Sequence, residues 1–207
     1  MKNKIFITAI GTGSGKTLTS AIFTEALLAD YWKPIQTGKD DRDLKTVASL
    51  ISNQESIMHA ERYWLDEPAS PHAAAQLQNI KISLADFKLP KSKNDTIIIE
   101  GAGGVMVPIN YEKDYVIDLA NMFDCQVVLV SNYYLGSINH TLLTYEYLKY
   151  RNAKILGIVF NGKQNTASRE AIIKHTNLKV LLEIDEHETI TKQIVKQYAD
   201  TLIKNLY

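Results

Sequence analysis

Gly15-Lys16-Thr17 is the stretch of this chain best suited to chemistry. It follows an apolar, β-branched run, Ile5-Phe6-Ile7-Thr8-Ala9-Ile10, and a loop, Gly11-Thr12-Gly13-Ser14. From Leu18 to Ala29 apolar residues recur at helical spacing. Strand, glycine-rich turn and helix in that order make a phosphate-binding loop. Glycine lets backbone N–H groups curl around phosphate oxygens, and the new helix points its positive end at them. Lys16 adds a mobile cation for the β- and γ-phosphates, and the Thr17 hydroxyl is placed to ligate Mg²⁺. The strict pattern G-x-x-x-x-G-K-[ST] has glycine where this chain has Ile10, with Gly11 and Gly13 inside the loop instead. A glycine-rich turn that binds nothing is the competing reading.

Other chemistry-bearing residues follow apolar runs. Glu100 ends Thr96-Ile97-Ile98-Ile99, where a carboxylate is costly unless a cation satisfies it. Mg²⁺ beside Thr17 is one such partner; capping the turn Gly101-Ala102-Gly103-Gly104 is the other reading. Those glycines suit either a close backbone approach to a ligand or a plain turn. Asp40, Asp41 and Asp43 form a charged turn in which Asp43, directly before a helix, is best placed for a second metal contact. Lys33 stands between Trp32 and Pro34, with the Thr37 hydroxyl in the next turn. At a strand end it is expected outside the core, either as a substrate-binding cation or as a surface charge. Gly136-Ser137-Ile138-Asn139-His140 opens a helix whose free N–H groups attract an anion, unless it is an ordinary helix start. His72 and His140 lack partners at metal-ligand spacing, so zinc is not indicated.

The positioning elements alternate. Strands are expected at Ile5–Ile10, Tyr31–Pro34, Thr96–Glu100, Gln126–Ser131, Lys154–Phe160 and Lys179–Leu182. A short extended piece is expected at Arg62–Leu65, with Ile35–Gly38 in the loop after Pro34. Helices are expected at Leu18–Ala29, Leu44–Ile51, Pro71–Leu77, Val116–Phe123, Gly136–Tyr150, Ser168–His175 and Thr189–Asn205, with a weaker one at Ile82–Phe87. Such alternation predicts an α/β fold: one domain over residues 1–207, a mostly parallel sheet with helices on both faces, as in P-loop NTPases. Ligands of such sheets bind at the carboxyl ends of the strands. The candidate residues above all follow strands, as does Asn161.

Composition narrows the classes. Lys+Arg and Asp+Glu both number 23, so the basic excess that generic nucleic-acid or anionic-membrane binding needs is missing. The four arginines, Arg42, Arg62, Arg151 and Arg169, make no clustered phosphate clamp. A lone cysteine, Cys125 in an apolar stretch, excludes a disulfide scaffold and reads as a small core residue. No signal-like segment and no membrane-length apolar run occur, so a cytoplasmic location is expected.

Five stretches in order resemble the dethiobiotin synthetase family, over most of the chain to about Gly162. They are Gly11–Thr17, Lys33-Pro34-Ile35-Gln36-Thr37-Gly38, Ser70-Pro71-His72, Glu100–Gly104 with Pro108, and Leu135-Gly136-Ser137-Ile138-Asn139-His140-Thr141. The phosphate loop is common to many ATPases; the second and fifth stretches are much more specific. The resemblance implies ATP-dependent carboxylation and ring closure of 7,8-diaminopelargonate. CO₂ or bicarbonate supplies the carbon, and a carbamate and a carbamic-phosphoric anhydride lead to dethiobiotin, ADP and phosphate. It implies catalytic roles for Lys33, Lys16 and Thr12, with Lys33 holding the carbamate. It implies ATP contacts at Gly13, Ser14, Gly15, Lys16, Thr17, Leu18, Asp43, Glu100, Gly101, Ala102, Gly103, Asn161 and Gly162, with Asn161 reading adenine. Mg²⁺ would be held by Thr17, Asp43 and Glu100. The substrate would meet Lys33, Thr37, Gly136, Ser137, Ile138 and Asn139, the last four from the partner subunit of a homodimer. The chain departs from the family at Ala9, Gly13 and Tyr134, where glycine, glutamate and lysine are common, and at Leu182-Glu183-Ile184-Asp185, where Gly-x-Ile-Pro is usual. Two rival readings compete with a biosynthetic enzyme. A partition or septum-placement switch ATPase would carry lysine where this chain has Gly11 and would end in a basic amphipathic tail. A small-molecule kinase would carry a basic lid.

Overall fold

The computed structural model describes residues 2–206; Met1 and Tyr207, the outer ends of the terminal segments considered above, lie outside the described residues. The central strand β1 (Asn3–Ala9) pairs in parallel with β6 (Thr96–Glu100) on one side and β7 (Gln126–Asn132) on the other. Beyond β6 lie β2 (Asp30–Trp32) and the edge strand β4 (Met58–His59). Beyond β7 lie β8 (Lys154–Asn161) and β9 (Val180–Ile184). The seven-stranded order is β4-β2-β6-β1-β7-β8-β9, all parallel.

Both faces of this sheet are apolar, which is why its middle strands read as unbroken hydrophobic runs. Side chains alternate along a strand, so neighbours serve different cores. Phe6, Ile97, Ile99, Val127 and Leu129 enter one core with α4 (Asp118–Met122), α5 (Ser137–Tyr150) and α6 (Thr166–Thr176). Ile5, Ile7, Ile98, Val128 and Val130 enter the other with α1 (Lys16–Leu27) and α7 (Lys192–Leu206). Glu25 of α1 is buried because Ser52 N, Asn53 N and both their side chains donate to its carboxylate.

The structure differs from the sequence reading in several places. Ile35–Thr37 is not loop but strand β3, which pairs with β5 (Tyr63–Leu65) in a separate two-stranded parallel sheet. Pro34 cannot donate to a ladder, so the chain leaves the main sheet there, while buried Ile35 and Leu65 hold the second sheet together. The two residues of β4 are too few to show a period. Helix α2 (Asp43–Leu50) starts one residue earlier than expected, and α3 spans Pro71–Leu77 as expected. The Ile82–Phe87 segment forms only a 3₁₀ turn, Leu84–Asp86, opened by a capping box between Ser83 and Asp86 and ended at Phe87. Helix α4 is shorter than Val116–Phe123 because Val116 N turns back to Val107 O at 2.9 Å.

Candidate active site

The phosphate loop runs from β1 into α1. Gly13 and Gly15 have φ of 73° and 98°, a left-handed conformation that strains other residues. A Cβ on Gly15 would fall 2.3 Å from Asn161 Nδ2, the amide that donates to Ser14 O at 3.1 Å. Asn161, at the end of β8, therefore packs directly on the loop. Lys16 opens α1, and its Nζ donates to Gly11 O at 3.2 Å. Burial pushes the Lys16 ammonium below the ordinary lysine range, and the Lys33 charge pushes the same way; Glu100 and Asp43 oppose this.

A cavity of about 620 Å³ opens on this loop. Its floor is an ionic cluster. Thr17 Oγ1 lies 2.8 Å from Asp43 Oδ1 and 3.0 Å from Glu100 Oε1. Lys33 Nζ pairs with the Asp43 carboxylate and donates to Glu100 Oε1 at 3.1 Å. Tyr31 donates to Glu100 Oε2 at 2.9 Å. Burial would lower the Lys33 pKa, but Glu100 and Asp43 outweigh it and hold the ammonium above its usual range.

The Lys33 side chain is therefore not at the surface. The residue is 7% exposed and, with Trp32 and Pro34, belongs to the buried interior, which corrects the expectation that a strand-end lysine stands outside the core. The two carboxylates need a counter-cation at this depth, and the chain turn at Pro34 delivers one. Of the three clustered aspartates only Asp43 reaches the cavity; Asp40 and Asp41 are exposed.

Thr12, Gly13, Gly15, Lys16, Thr17, Lys33, Thr37, Asp43, Glu100, Ala102 and Gly103 line the cavity together. Gly101 does not: a Cβ there would meet the Phe6 ring at 3.1 Å, so packing against β1 leaves a side chain little room. Ser14 is buried behind the loop, and Leu18 packs against the α1 core. Asn161 and Gly162 do not line this cavity, and Gly162 N donates to Ile184 O at 2.9 Å. Gly136, Ser137, Ile138 and Asn139 open α5 away from the cavity, next to Leu135, which is 103% exposed. Two residues beside the cluster escaped the sequence reading. Tyr31 reads in the sequence only as part of a strand, and its ring is indeed core, while Gln36 is an unmarked position inside the Lys33–Gly38 stretch.

Thr17, Asp43 and Glu100 offer oxygen donors only, which suits a hard divalent cation. Among the described residues no group of three His, Cys, Asp or Glu side chains is gathered for a metal. Two carboxylates and a hydroxyl nevertheless fit Mg²⁺, which completes its shell with water and phosphate oxygens.

A glycine-rich loop feeding a helix from the middle of a parallel sheet, with an acidic strand end beside it, defines a P-loop nucleotide-binding protein. Residues 3–193 match a family described as AAA domain. The septum site-determining protein MinD of Pyrococcus horikoshii, solved with Mg-ADP, shares the fold. Its TM-score is 0.58 at 17% identity, over 99% of this chain and 97% of that one. The ATP-dependent dethiobiotin synthetase BioD of Cytophaga hutchinsonii is 53% identical over 99% of this chain and 98% of its own length. That of Christiangramia forsetii is 45% identical over 100% and 99%. The chain belongs to the ATP-dependent dethiobiotin synthetases, the ATP-using ligases of biotin synthesis.

Proposed function

We propose that the chain carboxylates 7,8-diaminopelargonate and closes its ureido ring, giving dethiobiotin, ADP and phosphate by way of a carbamate and a carbamic-phosphoric anhydride. One observation carries this reading: two buried lysines, Lys16 and Lys33, face one cavity from the phosphate loop and from the Pro34 turn. A carbamate and a γ-phosphate are both anions, and bringing them together needs a cation for each.

Lys33 holds the carbamate oxygens and keeps that group unprotonated. Lys16 follows the charge that develops on the transferring phosphoryl group, with Thr12 at the same rim. Thr37 offers its hydroxyl to the substrate. Gly13, Gly15, Lys16 and Thr17, with Ala102 and Gly103, surround the phosphates, and Asn161 and Gly162 take the adenine side. Thr17, Asp43 and Glu100 would hold Mg²⁺, which supplies charge neutralisation across the β- and γ-phosphates. The free carboxylate end of the substrate is bound by Gly136, Ser137, Ile138 and Asn139 of a second copy, so the working unit is a homodimer. The exposed Tyr134, Leu135 and Leu143 on this side of α5 support that surface. Among the described residues no helix is long and apolar enough to cross a membrane; we place the enzyme in the cytoplasm. We propose one domain for the whole chain.

ADP formation that requires both diaminopelargonate and bicarbonate, with dethiobiotin made in equal amount by mass spectrometry, is the expected result. ATP hydrolysis at full rate without the diamine, and no dethiobiotin, overturns it.

A further inference from the structure

Helix α2 begins at Asp43, so the one carboxylate that reaches the cavity from the 38–43 segment sits on the first turn of a short helix. First-turn N–H groups have no partner within their helix and need a cap. Arg42, the residue at the cap position, makes no side-chain hydrogen bond to them. The cap comes from elsewhere. Gln36 Oε1 on β3 accepts from Asp43 N at 3.3 Å. The same amide donates through Nε2 to Thr37 O at 3.0 Å and to Asp41 O at 3.1 Å. Gln36 is 4% exposed, while Lys39, Asp40 and Asp41 of the loop it spans are exposed.

We propose that Gln36 is a positioning residue for the cation and phosphate site, acting as a remote cap that sets where Asp43 stands. The small β3–β5 sheet is its foundation. From β5, Trp64 Nε1 donates to Gly38 O at 3.2 Å, and the Arg42 guanidinium lies 4.5 Å from the centre of the Trp64 ring. Arg42 also pairs with Glu61 just before β5. These contacts hold the loop backbone, but Gln36 alone grips both Asp41 and Asp43 with one planar group. An amide suits this place because the loop presents two carbonyls and an N–H, and an amide offers two N–H donors and a carbonyl acceptor in one group where a hydroxyl has a single donor. The inference rests on the reading of Asp43 as a cation ligand given above.

The test is Mn²⁺ binding to the full chain in the presence of ADP, followed by electron paramagnetic resonance. Gln36→Met keeps the volume and removes the amide. Loss of a group that orients a metal ligand typically costs about 10–100-fold in affinity. The variant is expected to bind Mn²⁺ at least ~10-fold more weakly. It should need correspondingly more Mg²⁺ for half-maximal turnover and keep the parent KM for diaminopelargonate at saturating Mg²⁺. Unchanged Mn²⁺ affinity overturns the inference. So does a raised KM for the diamine with unchanged Mn²⁺ affinity, which would make Gln36 a substrate contact instead. Should Gln36→Met fold poorly, hydrogen exchange on the unaltered protein still decides: the Asp43 amide is expected to be protected, and exchange at the rate of a free amide overturns the cap. Asp43→Asn separates the two readings. If it leaves Mn²⁺·ADP binding intact, Asp43 is not a ligand and both fall. If it weakens that binding while Gln36→Met does not, only the present inference falls.

Discussion

Lys33 Nζ stands 3.1 Å from Glu100 Oε1 and reaches the Asp43 carboxylate at the same time. One ammonium thus joins the end of β6 to the start of α2 and turns the proposed substrate lysine into a structural partner of the proposed cation ligands. Removing it does more than empty a substrate contact.

Lys33→Gln should lose affinity for diaminopelargonate and its carbamate while keeping that for ATP. It should also lower stability by about 1–3 kcal/mol, because a buried carboxylate loses its charged donor. Glu100 keeps the Thr17 and Tyr31 contacts, which limits the loss. Calorimetric titration and urea unfolding measure the two effects separately. Full stability with lost diamine binding would show the ion pair to be energetically idle.

Gly15→Ala should weaken ATP binding at least ~10-fold without unfolding the chain, since αL strain for a non-glycine residue is about 1–2 kcal/mol and the new methyl meets Asn161 Nδ2 at 2.3 Å. Adding Asn161→Ala removes the clash but leaves the strain and takes away the proposed adenine contact, so the double variant should stay well below the parent affinity. Fluorescent-nucleotide titration of the three proteins checks the order.

Asn139→Asp puts a carboxylate where the proposed homodimer receives the substrate carboxylate. Asn139 is exposed, so the fold should be untouched. The KM for diaminopelargonate should rise with ATP affinity unchanged. Sedimentation finding a fully active monomer at assay concentration would rule out the shared site.

Acid stability should depend on Glu25. Burial alone would raise its pKa, but the donors from Ser52 and Asn53 outweigh it and hold it below the usual glutamate range. The folded form thus binds its proton more weakly than the unfolded chain. Its stabilisation is complete above the unfolded pKa near 4.5 and fades as pH falls through the lower folded value. Glu25→Gln should therefore cost roughly 1–3 kcal/mol at neutral pH and converge with the parent in strong acid. Denaturation midpoints at pH 7 and in strong acid make the comparison; equal gaps at both would sink it.

The sequence by itself determined the phosphate loop, the alternation of strands and helices, and the identity of most cavity-lining residues. These depend on local rules: a glycine at positive φ, a hydrophobic period, a carboxylate at a strand end. The Ile97–Ile99 run could only be a buried strand, and Gly15-Lys16-Thr17 could only open a helix after one. Tertiary structure alone decided the rest, because it depended on contacts between distant segments. Whether Lys33 is surface or interior turns on Glu100, 67 positions away, arriving beside it. Asp43 differs from Asp41 in meeting Thr17 and Lys33 on the cavity floor, contacts between segments far apart in the chain. Gln36 touches both aspartates from a strand that exists only because Tyr63–Leu65 lies alongside it. Gly101 and Gly103 look alike in the chain, yet one packs on Phe6 and the other borders the cavity. A side chain's type limits what it can do, but its neighbours set its charge, its burial and its partner, and those neighbours are brought to it only when the sheet closes.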